Sequence, residues 1–576
     1  MARTPKFANT NALWAAVAVQ TLESLGVKQV VISPGSRSTP LACAFANHPA
    51  FQVTVALDER SAGFIALGQS KATGIPSVLL CTSGTAGANY FPAIIEARLS
   101  QTPLLVLTAD RPPELRHCHS GQTIDQPGLF GRYPVWSTEA GVPSADLGLL
   151  RHWRQLWVDA VQRSLGPVLG PVHLNLPFRD PLSPSTPEKG FKTPAGLNWT
   201  KFFDAIPTPT FKAAISVTKV VDLLPSTSRG IIVVGPHYFE DRPRSTQAIV
   251  ELSEATGWPI LADGAGSLRG DLAQHPHLVS TYDFILRQKS FAKQLTPEVV
   301  VQIGPLPTSK VLRQWLSDCE PWGLQLGRPG ENLDPTHGKW RRIDAELVTA
   351  SQPISSLALA TDTQLPVWRK LQQRALKKLN RIANTRWAFE GRTVALLAEH
   401  LNSQDLLVVG NSMPIRDLEW FYHPTTPGAS IITNRGANGI DGTVSTAIGV
   451  AQQGQPTTLL CGDLACLHDS NALLSAKLKG ISLNIIVINN QGGGIFHHLP
   501  VAQETKVFEQ LWGTPQNTDL GQLCKAHQVS HLKIKNWAHL AQQLQRRPQG
   551  VRVLEVTTNR AKDAAYRKRE LNRPLT

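Results

Sequence analysis

Three times along the chain, short runs of branched apolar residues stop at polar or glycine-rich turns and are followed by helix-length stretches. This alternation is the strongest constraint on the fold, because strands joined by crossover helices close into parallel sheets covered on both faces. In the first third the runs are Val27–Ser33, Val53–Leu57, Val78–Cys81 and Leu104–Thr108. They return near Gly230–Gly235, Pro259–Ala262 and Val299–Ile303, then at Leu406–Val409, Ser430–Thr433, Thr457–Cys461 and Leu483–Asn489. The pattern predicts an α/β protein of three domains, each a mostly parallel sheet flanked by helices, over residues 1–185, 205–350 and 365–576. A proline-rich linker over 181–209 and an irregular stretch over 350–367 would separate them. At 576 residues the chain is too long for one core, in keeping with that division.

In open parallel sheets, ligands bind outside the carboxyl ends of the strands. Ser36, Arg37, Glu59 and Arg111 all fall at that edge of the first domain. The third domain places Gly410-Asn411-Ser412, Asn434-Arg435-Gly436, Gly462-Asp463 and Asn489-Asn490-Gln491-Gly492 after its strands.

The last two turns carry the sharpest chemical signal, with Asn490 standing 27 residues after Asp463. A diphosphate is held through a hard divalent cation that takes oxygen ligands in octahedral geometry. Asp463 offers a carboxylate, Asn490 an amide oxygen and Gly492 a main-chain carbonyl, leaving positions for phosphate oxygens and water. Glycines admit close approach of the backbone, and a helix beginning after Asp463 presents free N–H groups to phosphate. The bland alternative is a pair of ordinary strand-end turns, since Asp and Asn-Gly clusters favour turns anyway. Both follow apolar strands, however, with a helix-length insert between them at Ser470 to Lys479.

Composition narrows the partners. A net charge of +14 suits polyanionic ligands, but its main concentrations, Arg369 to Arg386 and Arg560 to Arg573, read as solvated helical faces. Neither interleaves aromatics for base stacking, so nucleic acid is not expected as a partner. No apolar run approaches a membrane span, and Met1 to Trp14 lacks a secretory layout, so a cytoplasmic protein is expected. The seven cysteines are scattered without a CxxC pair and read as reduced thiols.

The Gly462-Asp463-Leu464 and Asn489-Asn490-Gln491-Gly492 pair resembles the signature of thiamine-diphosphate-dependent enzymes. Ser33-Pro34-Gly35-Ser36-Arg37-Ser38-Thr39-Pro40, Thr82-Ser83-Gly84-Thr85, Thr108-Ala109-Asp110-Arg111-Pro112-Pro113 and Gly492-Gly493-Gly494-Ile495-Phe496 extend the likeness over almost the whole chain. The resemblance implies thiamine-diphosphate-binding folds for the first and third domains, and thiamine diphosphate with Mg2+ or Mn2+ as cofactors. It also implies a homodimer or homotetramer with its active site at a subunit interface. Glu59 becomes the poorly solvated carboxyl set against the aminopyrimidine ring, although Asp58-Glu59-Arg60 could equally be a solvated helix start.

Within the family, the likeness implies a transferase that decarboxylates 2-oxoglutarate and adds the remaining fragment to isochorismate, in menaquinone or phylloquinone biosynthesis. Both substrates are dianions and call for cations, for which arginine forks are well shaped. Carried over motif by motif, Ser36, Arg37, Arg111, Gln122, Lys310, Ser412, Arg416 and Arg435 would meet substrate. Gly410, Ser412, Ile440, Gly462, Leu464, Ile495 and Phe496 would line the cofactor, with Leu499 in the apolar wall and the loop over 511–520 as a substrate lid. The plain alternatives are surface ion pairs for Arg37, Arg111 and Arg435, a pairing of Arg416 with Glu419, and a solvated Lys310. Other readings of the chain are a different 2-oxoacid decarboxylase or an acetolactate-type carboligase. From another class, the alternative is a non-catalytic ligand- or nucleic-acid-binding relative, against which Glu59, Asp463 and Asn490 together argue.

Overall fold

The computed structural model describes residues 5–204, 206, 213–227, 229–236, 241–330, 332–350, 363–385, 389–478 and 480–575. Within the expected linker, 205 and 207–209 lie outside the described residues, as do 351–362 of the irregular stretch and Arg386 of the first basic run. Two units emerge: Met1–Phe211 with Asn434–Gln453 and Asp469–Leu478, and Lys212–Thr433 with Gly454–His468 and Lys479–Thr576.

The first unit is built on six parallel strands: β1 (Gln29–Ser33), β2 (Gln52–Val55), β3 (Ser77–Cys81), β4 (Leu104–Asp110), β5 (Trp136–Glu139) and β6 (Pro171–Pro177). Their order is β2-β1-β3-β4-β6-β5. β3, β4 and β6 are buried at every residue, as expected for strands covered on both faces. Beneath the sheet, Trp14 stacks on Trp153 at 4.6 Å in a core shared by helices Thr10–Ser24 and Leu147–Leu165. Helix Glu59–Thr73 lies against helix Thr443–Ala451 at backbone contact distance. A Cβ on Gly68 would stand 2.1 Å from the Thr446 carbonyl oxygen, and one on Gly449 2.0 Å from that of Ile65. Only glycine admits that approach.

The second unit holds two larger sheets. The strands β7 (Ala214–Ser216), β8 (Gly230–Val234), β9 (Ile260–Ala262), β10 (Val299–Ile303), β11 (Trp322–Gly327), β12 (Lys339–Asp344) and β13 (Glu346–Val348) form a parallel five-stranded sheet, β12-β11-β10-β8-β9, and the pair β7-β13. They are followed by β14 (Leu406–Val409), β15 (Ser430–Thr433), β16 (Thr457–Gly462), β17 (Ser482–Asn489), β18 (Ser530–Lys533) and β19 (Gly550–Thr557), in the order β15-β14-β16-β17-β19-β18. The first and last sheets thus share one topology, strand for strand. In each the order reverses beside the founding strand, and that switch point is where an open α/β sheet leaves a crevice.

The predicted strands are present with ends shifted by a residue or two. β5, β6, β7, β11, β12, β13, β18 and β19 were not predicted. Several carry polar residues whose partners lie far along the chain. In β6, His173 and Asn175 bond to Thr108 of β4; in β19, Glu555 accepts from Asn489 of β17. The insert between the two turns is a run of 3-10 turns, Ser470–Lys477, rather than an α-helix. The basic tail is helical over Arg560–Leu571, but it is not simply a solvated face, since Arg567 is 1% exposed.

Candidate active site

In the first unit, the predicted residues gather at the carboxyl edge around the turns after β1, β3 and β4. Gly35 lets the first turn touch the second, since a Cβ there would meet Thr82 at 2.6 Å. Arg37 follows and is buried, with Nη1 donating to the Phe178 carbonyl at 2.8 Å and Asp180 4.0 Å away. Arg111 donates to the Ser83 hydroxyl, and Gln122 Nε2 donates to the Ser83 carbonyl at 3.0 Å. Ser83 therefore ties Arg111 and Gln122 together. Burial and the charge of Arg37 lower the Arg111 pKa, while Asp110 and Asp180 raise it. Repulsion of that kind is relieved by an anion. Ser36 is exposed beside them. Behind the turns, buried Gln126 accepts from the Gly84 N–H at 2.8 Å and donates to Asn175 at 3.0 Å, bracing the β3 turn from below.

Glu59 is the first residue of its helix, capped by Asp58, whose carboxylate accepts from the N–H groups of Arg60 and Ser61. Asn471 holds the other Asp58 oxygen at 2.8 Å. The Glu59 side chain is half-buried, less enclosed than the sequence reading expected. Cys81 and Tyr90 are fully buried. Desolvation raises both pKa values, and the Glu59 charge adds to the rise.

Arg435 lies on a loop clamped from below. Glu96 accepts from the N–H of Gly436 at 3.0 Å and of Ala437 at 2.7 Å, while Lys71 bonds the same carboxylate at 3.2 Å. Both side chains of the Lys71–Glu96 pair are at most 10% exposed. Ile440 follows, half-buried, its carbonyl accepting from Thr443 at 2.9 Å.

The second unit holds the other group. Gly410 ends β14 with its N–H on the Leu460 carbonyl, and Ser412 takes a left-handed φ of 72° that turns the chain into helix Met413–Phe421. Arg416, one turn on, donates to the Ser412 carbonyl at 2.6 Å. Glu419 is not its partner: that carboxylate is buried against Arg269 at 2.8 Å. Lys310 is exposed at the start of helix Lys310–Cys319, and among the described residues no hydrogen bond joins it to Ser412 or Arg416.

Gly462 closes β16, and Asp463 opens the short helix Asp463–His468, followed by half-buried Leu464. The buried Asp463 carboxylate accepts from the N–H of Leu464 at 2.8 Å and of Gly492 at 2.9 Å. Burial raises its pKa and these bonds pull the other way. The Gly492–Asp463 bond brings the two strand-end turns together. Asn490 Nδ2 donates to Glu390 at 2.8 Å, whereas Asn490 Oδ1 is buried and accepts no hydrogen bond among the described residues. The Gly492 carbonyl accepts from Gly494 and keeps a second lone pair. One carboxylate, one orphaned amide oxygen and one carbonyl form an oxygen donor set that fits a hard divalent cation. Beside it opens a small cavity lined by Asp463, Asn489, Gln491, Gln516, Asn517 and Thr518. Ile495 and Phe496 follow on a 3-10 turn, both half-buried, with Leu499 just after.

Residues missed at the level of sequence brace this loop. Arg560 donates to the carbonyls of Asn490 and Gln491 and pairs with Glu509, tying the loop after β17 to the segment over 509–513. Gly492, at φ +132°, allows the contact, since a Cβ there would stand 1.8 Å from the Gly513 carbonyl oxygen. No local pattern marks Glu390, Arg560 or Glu96.

Comparison with known proteins bears on the whole chain. Residues 14–129 match the family described as "Thiamine pyrophosphate enzyme, N-terminal TPP binding domain". Residues 212–406 match "Middle domain of thiamine pyrophosphate", and 417–556 match "Thiamine pyrophosphate enzyme, C-terminal TPP binding domain". The 2-succinyl-5-enolpyruvyl-6-hydroxy-3-cyclohexene-1-carboxylate synthase of Gloeothece citriformis is 44% identical, over 98% of this chain and 99% of its own. The synthase of the same name from Trichormus variabilis is 43% identical over 98% of each chain. That of Synechococcus elongatus is 44% identical over 97% of this chain and 95% of its own. Among solved structures, benzoylformate decarboxylase from Polynucleobacter necessarius superposes with a TM-score of 0.66 over 95% of this chain and 98% of its own. At 16% identity that likeness concerns the fold alone.

Proposed function

Since the chain belongs to the thiamine pyrophosphate enzymes, and among them to the 2-succinyl-5-enolpyruvyl-6-hydroxy-3-cyclohexene-1-carboxylate synthases, we propose that it joins 2-oxoglutarate to isochorismate. Carbon dioxide leaves the first substrate, and its succinyl fragment adds in conjugate fashion to the ring of the second, in menaquinone or phylloquinone biosynthesis. The observation that carries this reading is 40–44% identity to synthases of that name over nearly the full length. A plain decarboxylase or acetolactate-type carboligase is not favoured.

Thiamine diphosphate, when bound, supplies the electron sink that lets a 2-oxoacid lose carbon dioxide. The protein binds, orients and moves protons. Asp463, Asn490 Oδ1 and the Gly492 carbonyl would hold magnesium, or manganese in its place, and through it the diphosphate. Glu59 would hold the proton exchanged with the aminopyrimidine ring. Ser36, Arg37, Arg111 and Gln122 would form one cationic edge, Arg435 would add its charge from the loop that Glu96 holds, and Ser412, Arg416 and Lys310 would supply a further group. Each cation would offset substrate charge, and the arginines would orient carboxylates by two-point contacts. Gly410, Gly462, Leu464, Ile440, Ile495 and Phe496 would shape the cofactor's walls.

We further propose a cytoplasmic homodimer or homotetramer. Val55 and Leu57 are 59% and 79% exposed just ahead of half-buried Glu59, so bare apolar side chains and an under-enclosed carboxyl share an edge that a second copy would cover. No helix of the described residues is long and apolar enough to cross a membrane. The test of the reaction is isochorismate consumption with thiamine diphosphate and magnesium present. Loss with 2-oxoglutarate and not with pyruvate is the expected result; carbon dioxide release from pyruvate without isochorismate loss would overturn it.

A further inference from the structure

Glu390 lies 100 residues ahead of Asn490, just before helix Gly391–His400, and is 3% exposed. None of its polar atoms is idle. Oε1 accepts from Asn490 Nδ2 at 2.8 Å and from the Thr558 hydroxyl at 2.9 Å. Oε2 faces Arg567 at 3.7 Å, and the main-chain N–H donates to Asp563 at 2.9 Å. Arg567 is itself gripped by Asp417 and Asp563, so the carboxylate is held from the backbone and from both oxygens.

An asparagine amide has a donor end and an acceptor end that point apart. With Nδ2 on Glu390, Oδ1 must face the opposite way, where it is buried and unpaired among the described residues. Rotating the amide by half a turn would set Oδ1 against Glu390 Oε1, two acceptors at hydrogen-bond distance. It would also turn an NH2 group toward the cation. Both consequences are repulsive.

We propose that Glu390 is a positioning residue of the cation site, locking the Asn490 amide with Oδ1 toward the divalent ion. The proposal rests on the reading of Asn490 as a ligand and adds the partner that makes it one. Glu390 does not touch the cation. It acts as the outer carboxylates around metal sites do, by orienting a ligand, a role whose loss weakens metal binding about 10- to 100-fold.

The test is calorimetric titration of Mg2+ into the full chain at saturating thiamine diphosphate, with apo melting curves alongside. Glu390→Ala is expected to weaken Mg2+ binding at least about tenfold. A pairing swap separates orientation from mere packing. Asn490→Asp alone sets two carboxylates face to face. Adding Glu390→Gln supplies an NH2 donor to the new carboxylate and restores complementarity with its polarity reversed. The double variant should therefore bind Mg2+ about tenfold more tightly than Asn490→Asp alone, which a purely structural Glu390 does not predict. A double variant no tighter than the single overturns the proposal, even if both melt early. So does wild-type Mg2+ affinity in Glu390→Ala when Asn490→Ala has lost it. Unchanged affinity in Asn490→Ala overturns the ligand reading itself, and the role of Glu390 falls with it.

Discussion

Arg567 lays its guanidinium against the carboxylate of Asp417, Nη2 donating to Oδ2 at 3.0 Å, with side chains 1% and 4% exposed. Asp563 binds the same guanidinium through Nε, and Glu390 stands 3.7 Å from Nη2. Burial pushes Asp417 up to about 6 while Arg567 pulls it back down, and Glu390 is raised by burial and by Asp563. A single cation thus holds three buried carboxylates beneath the proposed metal loop.

Removing that cation should be costly. Arg567→Met takes the counter-ion from three buried carboxylates, a change worth about 3–5 kcal/mol. Urea denaturation should show a loss of that order. A change below about 1 kcal/mol would mean that the carboxylates take up protons and tolerate the loss.

Glu59 is half-buried and caps no helix itself, so Glu59→Gln should fold like the parent. If Glu59 carries the proton of the cofactor ring, turnover should fall at least about 100-fold with the melting temperature nearly unchanged. Near-parental turnover in a steady-state assay would falsify that role.

Glu96 presents both oxygens to the loop that carries Arg435 and also pairs with buried Lys71. Desolvation lowers the Lys71 pKa, and Glu96 supports its charge. Glu96→Gln should raise the KM of a dianionic substrate about tenfold, since bonds to a charged acceptor contribute about 1.5–3 kcal/mol. Stability should fall as well, because Lys71 loses its counter-ion. Kinetics in which kcat alone falls, with KM unmoved, would break the link to Arg435.

His173 bonds Thr108 at 2.8 Å and Ser137 at 3.1 Å inside the first sheet, and burial lowers its pKa to about 4. The folded state therefore keeps it neutral where the unfolded chain, near 6.5, takes up a proton. Between about pH 6.5 and 4 the unfolded state binds more protons, so stability falls as pH falls across that window and is fully retained above it. His173→Gln should flatten this part of the stability-against-pH curve, as followed by denaturant midpoints. An unaltered slope would assign the acid sensitivity elsewhere.

Much of the fold was legible because it is written in local patterns. β1, β3, β4, β8, β10 and β14 to β17 are apolar runs that read as strands before any tertiary contact is known. Their polar turns pointed to Arg37, Arg111, Ser412 and Asp463, and the spacing of Asp463 and Asn490 pointed to a diphosphate site. β6 and β19 were missed because His173, Asn175, Arg552 and Glu555 look like surface residues until their distant partners appear. Arg567 was misread for the same reason. A helix of basic residues looks solvated unless Asp417, 150 residues earlier, is seen to cover it.

The amino-acid sequence by itself determined the α/β class and the glycine turns at the strand ends, and it pointed to the chemistry proposed for them. Each depends on neighbours a few residues apart, where propensity and spacing act directly. Tertiary structure alone decided how the candidate residues are held: Ser83 joining Arg111 to Gln122, Glu96 clamping the Arg435 loop, and Glu390 accepting from the Asn490 amide. Those are pairings of buried polar groups across long stretches of chain. A buried donor or acceptor must find a partner, but which partner it finds depends on which elements the fold sets side by side.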